Sequence, residues 1–318
     1  MEDTVPIIDF SAYGLQITNK ESVADSDLET LAANVYHALS TVGFLYIKNH
    51  GLPQEKIDEF FRINKTFFTQ PTSVKTTCAS RTGGFHGYQA FAMERLDVSK
   101  PGDLKEFFNY KSYEGSLDIQ WPVSVPGMEA AYGEFFEQST KLALRILDVI
   151  SLCIGLSDRN FLRNCHQSFG SKKSPGTLRS LYYPILPAGA SVKPGQLRCG
   201  EHSDYGTVTL LFQDQCGGLE IVSPIGAFMP VIPIEGTIVV NIGDLMQRWT
   251  ADKLKATVHR VIIPHHEKMK ACCRQSVALF VDPDDEVVIE CLDGSNKYKP
   301  VTSRDYVDGR LRATYQPA

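Results

Sequence analysis

The chain has 318 residues, enough for one large domain or two small ones, and its 43% apolar and 22% charged residues are typical of a soluble globular protein. A formal net charge of -5 and a pI near 5.9 provide no basic surface for nucleic acid or for an anionic membrane. No apolar run approaches the length that spans a bilayer. We therefore expect neither a nucleic-acid partner nor a membrane partner.

The eight cysteines have no regular spacing, which is typical of reduced intracellular thiols rather than of a disulfide framework. The first ten residues, MEDTVPIIDF, are acidic and soon polar, unlike a secretory signal. The last residues, YQPA, carry no lipidation signal. These features predict a cytoplasmic protein.

The first elements along the chain alternate between strands and helices. VPIIDF predicts a short strand, and FLYIKNH predicts another. Between them, residues 27–44 have apolar side chains at helical spacing, at Leu28, Leu31, Val35, Leu39 and Val42. EKIDEFFRINKTFF predicts a second helix, ended by Pro71. Its four phenylalanines are expected in the core, and these are Phe60, Phe61, Phe67 and Phe68.

Residues 78–126 are richer in Gly, Ser and Tyr and have weak periodicity. Loops that cap a pocket often have this composition, and substrate specificity tends to lie in them. Phe85 and His86 are therefore candidate substrate-lining residues, although side chains that only pack within the loop would give the same pattern. Basic residues are not interleaved with these aromatics, so the stretch does not indicate nucleic-acid binding.

A long helical pattern, MEAAYGEFFEQSTKLALRILDVISLCIGL, should brace the core. From Thr177 onward, short apolar strands separated by Gly, Pro and Asp predict a sandwich or barrel. The fold class is therefore mainly β with helical decoration, α+β. No linker divides the chain, and we expect an N-terminal region of residues 1–120 and a core of residues 121–318 with the bracing helix, in one compact unit.

The stretch HSDYGTVTLLFQD carries the candidate metal ligands. His202 and Asp204 are two residues apart where one strand ends and the next starts, and residues i and i+2 of an extended chain lie on one face. His259 comes from a later apolar strand. Two imidazoles and one carboxylate on one face of a metal, with other positions open, suit a non-haem Fe(II) that activates dioxygen.

These residues stand in a chain that resembles the iron- and 2-oxoglutarate-dependent dioxygenase superfamily over nearly its whole length. The similarity is to the branch of isopenicillin N synthase and the plant flavonoid and hormone oxygenases. It rests on H-x-D at His202, H-R-V at His259, R-x-S at Arg274, and the segments VPIIDF, VGFLYIKNHGLP, GFHGYQ, DLKEFF, LYYP and NIGDLMQRWT. It implies a double-stranded β-helix, or jelly roll, decorated by helices, and it makes His202, Asp204 and His259 the iron ligands.

The same resemblance implies a site for the cosubstrate 2-oxoglutarate. Arg274 and Ser276 would hold its far carboxylate, and Tyr183 in LYYP would donate a further hydrogen bond. The planar guanidinium matches a carboxylate bidentately, and the serine adds a hydroxyl donor. Many plant members carry Asn two residues before this tyrosine, whereas Leu181 stands here, which argues against a plant-type specificity.

The reaction implied by the resemblance consumes dioxygen and 2-oxoglutarate at Fe(II), with ascorbate as a candidate reductant, and releases succinate and carbon dioxide. Hydroxylation is the default outcome, and desaturation, ring closure and demethylation are alternatives. The substrate is expected to be a small organic molecule. Phe280 and Phe212 are candidates to line its cavity. Arg179 is either a partner for an acidic substrate or part of a structural ion pair on the sheet.

Two other functions fit the same residues. A 2-oxoglutarate-independent non-haem iron oxidase on this scaffold would take its electrons from substrate or ascorbate, and some such relatives retain the R-x-S pair. A non-catalytic small-molecule binding protein would be expected to have lost one of the three candidate ligands, all of which are present. The sequence favours no particular oligomeric state.

Overall fold

The computed structural model describes residues 4–81, 86–96, 100–112, 119–174, 176–186, 192–263 and 272–315. Two β-sheets form the centre of the molecule, and helices cover one face of the larger sheet. Within these ranges, none of the helices is both long and apolar enough to cross a membrane.

Helices cover the sheet because each carries an apolar stripe. The predicted helices are present, and α1 lies along α4. In α2, Phe60, Phe67 and Phe68 are buried and Phe61 packs against the same core. In the described ranges a 3-10 turn covers Lys20–Ser22, and the α-helices are α1 Asp25–Thr41, α2 Gln54–Phe68, α3 Thr72–Thr76, α4 Met128–Cys153, α5 Phe161–Asn164, α6 Asp244–Trp249 and α7 Ser303–Tyr315.

The strands are short and end at turns, as the sequence predicts. In chain order they are β1 Ile7–Asp9, β2 Phe44–Lys48, β3 Gly87–Gln89, β4 Glu106–Tyr110, β5 Thr177–Tyr183, β6 Cys199–His202, β7 Val208–Gln213, β8 Leu219–Val222, β9 Phe228–Pro230, β10 Thr237–Ile242, β11 His259–Val261, β12 Arg274–Val281, β13 Val288–Ile289 and β14 Val301–Thr302.

The larger sheet has the strand order β1-β2-β10-β7-β12-β5-β4-β3, and the smaller one has the order β6-β11-β8-β9. Apart from β1 with β2, the paired strands are antiparallel. β13 and β14 form a separate two-stranded sheet. The two main sheets with their covering helices are the double-stranded β-helix that the sequence analysis predicts.

Alternate residues of the large sheet enter two different cores. In β12, Val277 and Leu279 join the core beneath the helices, whereas Ala278 and Phe280 point into the space between the two sheets. Arg274 and Ser276 share the face of Ala278, as their spacing predicts. The functional side chains therefore lie between the sheets, on the face that the helices do not cover.

The structure differs from the sequence-based predictions at residues 78–126 and at Asp204. The weakly periodic segment 78–126 contains β3 and β4, which extend the large sheet, in addition to loops. β4 is buried on both faces and so has no alternation to reveal it. Asp204 lies in the connection after β6 and not within a strand. The large sheet contains strands from both sides of residue 120, and the division at that residue stays a prediction.

His166, in the turn after α5, connects that turn to the large sheet. Its Nδ1 lies 2.6 Å from the carbonyl oxygen of Leu162, and its Nε2 lies 3.0 Å from the hydroxyl oxygen of Thr207. Burial lowers the pKa of this imidazole from 6.5 to about 4. Its contribution to stability is therefore complete above pH 6.5 and is lost as the pH falls from 6.5 towards 4.

Replacement of His166 by Gln should remove this pH dependence, because the amide does not titrate. Between pH 7.5 and pH 5.0, we expect the free energy of unfolding of the wild type to fall by about 2 kcal/mol more than that of His166→Gln. Urea titrations of both proteins at the two pH values measure the difference. Equal changes in the two proteins would show that His166 is not the responsible group.

Candidate active site

Two histidines and one aspartate meet at one edge of the smaller sheet. His202 ends β6, His259 begins β11, and the antiparallel pairing of these strands places the two residues opposite each other. Their ring centroids are 4.2 Å apart. Asp204 Oδ1 lies 3.7 Å from Nε2 of each imidazole, and the three donor atoms lie within 4.8 Å of one another. The structure thus brings together the three residues that the sequence analysis singles out.

Hydrogen bonds orient all three donors. His202 Nδ1 donates to Gly200 O at 2.8 Å, and His259 Nδ1 donates to Thr257 O at 3.1 Å, so in the neutral form of each ring it is Nε2 that carries the lone pair. Asp204 Oδ2 accepts a bond from Thr209 Oγ1 and another from Asn241 Nδ2, both at 2.7 Å. Its other oxygen, Oδ1, is the one that faces the imidazoles.

The orienting residues Thr209 and Asn241 were missed by sequence reasoning. They are register partners on β7 and β10 and are both buried. A signal was present, because each is a polar side chain inside an otherwise apolar strand. Buried polar groups need partners, so such positions indicate a polar neighbour.

Burial and proximity set the charges of this cluster. Burial, and then the neighbouring His259, lower the pKa of His202 to about 3. Burial would raise the pKa of Asp204, but the two imidazoles and its two hydrogen bonds lower it overall. At neutral pH His202 is therefore neutral and Asp204 is ionised. Such donors fit a divalent cation, and an N,N,O set on one face suits non-haem Fe(II).

The triad is the one group of three or more His, Cys, Asp or Glu donors within the described ranges that could hold a metal. Its site lies between two cavities. One has a volume of about 60 Å³ and the other about 160 Å³. Both are lined by His202, Asp204, Leu181, Cys199 and Phe280. A metal at the triad would therefore face both spaces.

The smaller cavity ends at a buried cation. Arg274 is 1% exposed, donates from NH1 to Ser276 Oγ at 2.9 Å, and lies over the ring of Tyr183 at 4.9 Å. Among the described residues, no carboxylate lies within the 4.0 Å of an ion pair, and Arg274 Nε has no hydrogen-bond partner. Asp214, the nearby acid, instead accepts bonds from two backbone N–H groups. A buried cation with no carboxylate at ion-pair distance indicates an anionic ligand.

The larger cavity lies on the other side of the triad. Phe280 and Arg179, two of the candidate substrate-lining residues, line it. Arg179 also forms the ion pair that was its alternative role, with NH1 3.0 Å from Glu94 Oε1. Helix α7 closes the cavity with Val307 and Leu311.

Two substrate-lining predictions are not met by the structure. Phe212 lies on the opposite face of β7, where it is 2% exposed and its ring centroid is 4.9 Å from that of Phe135 in α4. Strand alternation is the reason, because Leu211 is the neighbour that faces the site. His86 is buried but is not among the described residues that line either cavity. Phe85 lies outside the described residues.

Comparison with protein families agrees with this geometry. Residues 5–127 match the family described as "non-haem dioxygenase in morphine synthesis N-terminal", and residues 175–283 match the 2OG-Fe(II) oxygenase superfamily. The fold and site define the class of non-haem iron oxygenases.

Individual relatives extend over nearly the whole chain. A proline hydroxylase of Petromyces alliaceus is 32% identical over 323 residues, which is 95% of this chain and 98% of that protein. A 2-oxoglutarate-dependent dioxygenase of Glarea lozoyensis is 31% identical, over 90% and 94%. A Neurospora crassa protein crystallised with alpha-KG is 31% identical with a TM-score of 0.86, over 99% and 100%. The chain belongs to the 2OG-Fe(II) oxygenase superfamily and is an Fe(II)- and 2-oxoglutarate-dependent, hydroxylating dioxygenase.

Proposed function

We propose that His202, Asp204 and His259 bind the Fe(II) of this dioxygenase, and that Arg274, Ser276 and Tyr183 bind the far carboxylate of 2-oxoglutarate. The observation that carries the proposal is the buried guanidinium of Arg274. No carboxylate of the described residues lies within 4.0 Å of it, and it ends a cavity whose other end is the N,N,O triad. A dicarboxylate can bind the guanidinium with one end while its other end reaches the metal.

When bound, the iron and the keto acid supply the oxidative chemistry, in which substrate C–H, 2-oxoglutarate and O2 become substrate C–OH, succinate and CO2. The residues of this chain orient the reactants. Thr209 and Asn241 hold Asp204 so that Oδ1 faces the metal position. Apolar side chains of the smaller cavity, including Leu219 and Val261, exclude water from the cosubstrate.

The proposed substrate is a small polar organic molecule in the larger cavity. Drug-sized ligands occupy cavities of roughly 300–1,000 Å³, whereas this cavity has about 160 Å³. The names of two relatives also support a small substrate, because one is a proline hydroxylase and the other is a Neurospora crassa protein crystallised with alpha-KG and thymine. We also propose a cytoplasmic location, which the eight free cysteines support, and ascorbate as the reductant that keeps the iron ferrous.

The test is an anaerobic titration that needs no substrate. Fe(II) is added to the protein, 2-oxoglutarate is titrated, and the weak visible charge-transfer band of the chelated keto acid is followed. In Arg274→Ala, loss of the charge-assisted bonds should weaken 2-oxoglutarate binding by about 100-fold or more.

The matched control for this titration is Arg62→Ala, which removes an exposed arginine of α2 and should leave the titration unchanged. A wild-type protein that binds iron without developing the band would favour the 2-oxoglutarate-independent oxidase. A protein that binds no iron would overturn the assignment of the triad.

A further inference from the structure

The larger cavity is lined by two opposite charges that form no ion pair or side-chain hydrogen bond within the described residues. Lys111 follows β4, Asp282 follows β12, and both line this cavity. In the part of the chain that the structure describes, neither side chain has a hydrogen bond, and no ion pair within 4.0 Å joins them to each other or to another residue. They are near enough for each to act electrostatically on the other.

Both groups have lost hydration. Burial lowers the pKa of the Lys111 ammonium, and burial raises the pKa of the Asp282 carboxyl to about 6. Desolvated charges that form no hydrogen bond or ion pair are costly, and a ligand that supplies counter-charges at contact distance removes that cost. The cavity that both side chains line is therefore a place for a ligand with two charged ends.

The other charged side chains of this wall are paired within the protein. Lys105 Nζ lies 2.8 Å from Glu94 Oε2 and 2.7 Å from Asp103 Oδ2. Arg179 NH1 lies 3.0 Å from Glu94 Oε1. Two cations thus face two carboxylates in this cluster. Lys111 and Asp282 are then the cation and the anion that remain for a ligand. One charge of each sign disfavours a dicarboxylate or a phosphate ester as the substrate.

The carboxylate of Asp282 packs against the backbone of Gly206. A side chain at Gly206, two residues after Asp204, would place its Cβ 2.3 Å from Asp282 Oδ1 and 2.4 Å from Val281 O. Only the absence of a side chain at Gly206 leaves room for this arrangement. The Asp282 carboxylate therefore lies beside the segment that carries Asp204, whose charge acts on it.

We propose that Lys111 and Asp282 determine substrate specificity by binding the two ends of a small zwitterion, a free amino acid or a close analogue. Lys111 binds its carboxylate and Asp282 binds its ammonium group. A neutral cyclic amide would leave both charges without counter-ions. The inference rests on the proposed function, since the substrate must lie beside the iron and 2-oxoglutarate.

The experiment uses the full chain loaded with Fe(II) and 2-oxoglutarate. The standard L-amino acids are tested, each beside its N-acetyl and carboxamide derivatives, with thymine as a neutral cyclic amide. Under argon, the shift in Tm reports binding. In air, succinate formation reports coupling to turnover. We expect a free amino acid to raise both, and removal of either of its charges to weaken the effect by about tenfold or more.

Lys111→Met and Asp282→Asn keep the shape of the side chains and remove their charges. Each should raise the half-saturating concentration of that amino acid by about tenfold or more while leaving the 2-oxoglutarate titration unchanged. Lys56→Met, an exposed lysine of α2, is the control and should change neither. The unchanged 2-oxoglutarate titration shows that the variants are folded.

Three results would overturn this inference. They are a response to thymine but to no amino acid, no response to any compound of the set, and equal amino-acid affinity in the wild type and both variants. In all three the 2-oxoglutarate band forms normally, so the proposed function stands. Absence of the band in the wild-type protein overturns the proposed function and this inference together.

Discussion

Asp204→Ala is expected to leave a folded protein that binds no iron and has no detectable 2-oxoglutarate turnover. The substitution removes the single carboxylate donor of the triad, and two imidazoles hold Fe(II) poorly without a carboxylate. It also removes the acceptor of the bonds from Thr209 and Asn241. Bound iron, measured after equilibrium dialysis, and succinate formation test the two parts of this expectation.

A milder variant tests the hydrogen bonds that orient Asp204 separately from its carboxylate. Thr209→Val keeps Asp204 but removes one of its two orienting hydrogen bonds, so iron affinity should fall by about 10- to 100-fold rather than disappear. Asp58→Ala, on the exposed face of α2, should retain full iron binding. Stoichiometric iron in Asp204→Ala would show that the metal lies elsewhere.

Asp148→Ala is expected to lower the free energy of unfolding by about 3–5 kcal/mol. The Asp148 carboxylate is fully buried in α4 and accepts bonds from Arg163 Nε at 2.7 Å and from Tyr13 OH at 2.9 Å. Lys20 Nζ lies 3.4 Å away. Its loss leaves the tyrosine hydroxyl buried without an acceptor and two cations without their shared carboxylate. Urea denaturation of the purified protein measures the change.

A surface ion pair of the same helix supplies the control. Glu137 and Lys141 are 2.7 Å apart, and both side chains are more than half exposed. Glu137→Ala should therefore change the free energy of unfolding by no more than about 0.5 kcal/mol. If Asp148→Ala were as mild as Glu137→Ala, the buried network would have no net effect on stability.

The helices and most strands are predictable because their signals are local. In α1 the spacing of Leu28, Leu31, Val35 and Leu39 identifies one face, and those residues are buried. In β12 the two-residue spacing of Arg274 and Ser276 is enough to place both on one face. β4 was not predicted, because a strand that is covered on both sides shows no alternation.

Some site residues were beyond prediction because they depend on which elements face each other. Alternation shows that Leu211 and Phe212 point in opposite directions, but it does not say which direction leads to the site. In the structure, α4 packs against Phe212, so Leu211 is the residue that faces the site. Lys111 and Asp282 could not be predicted as a pair either, since they are far apart in sequence and line one cavity only because β4 and β12 flank β5.

The sequence by itself determined the helices and most strands, and the two-residue spacings of His202 with Asp204 and of Arg274 with Ser276, because each is a pattern within a short segment. Only the tertiary structure decided that His202 and His259 are register partners, that Asn241 orients Asp204, and that Lys111 and Asp282 share one cavity. The physical reason is that side-chain direction within an element is set locally. The partner across a sheet or cavity is set by how distant strands pair and by which face the helices bury.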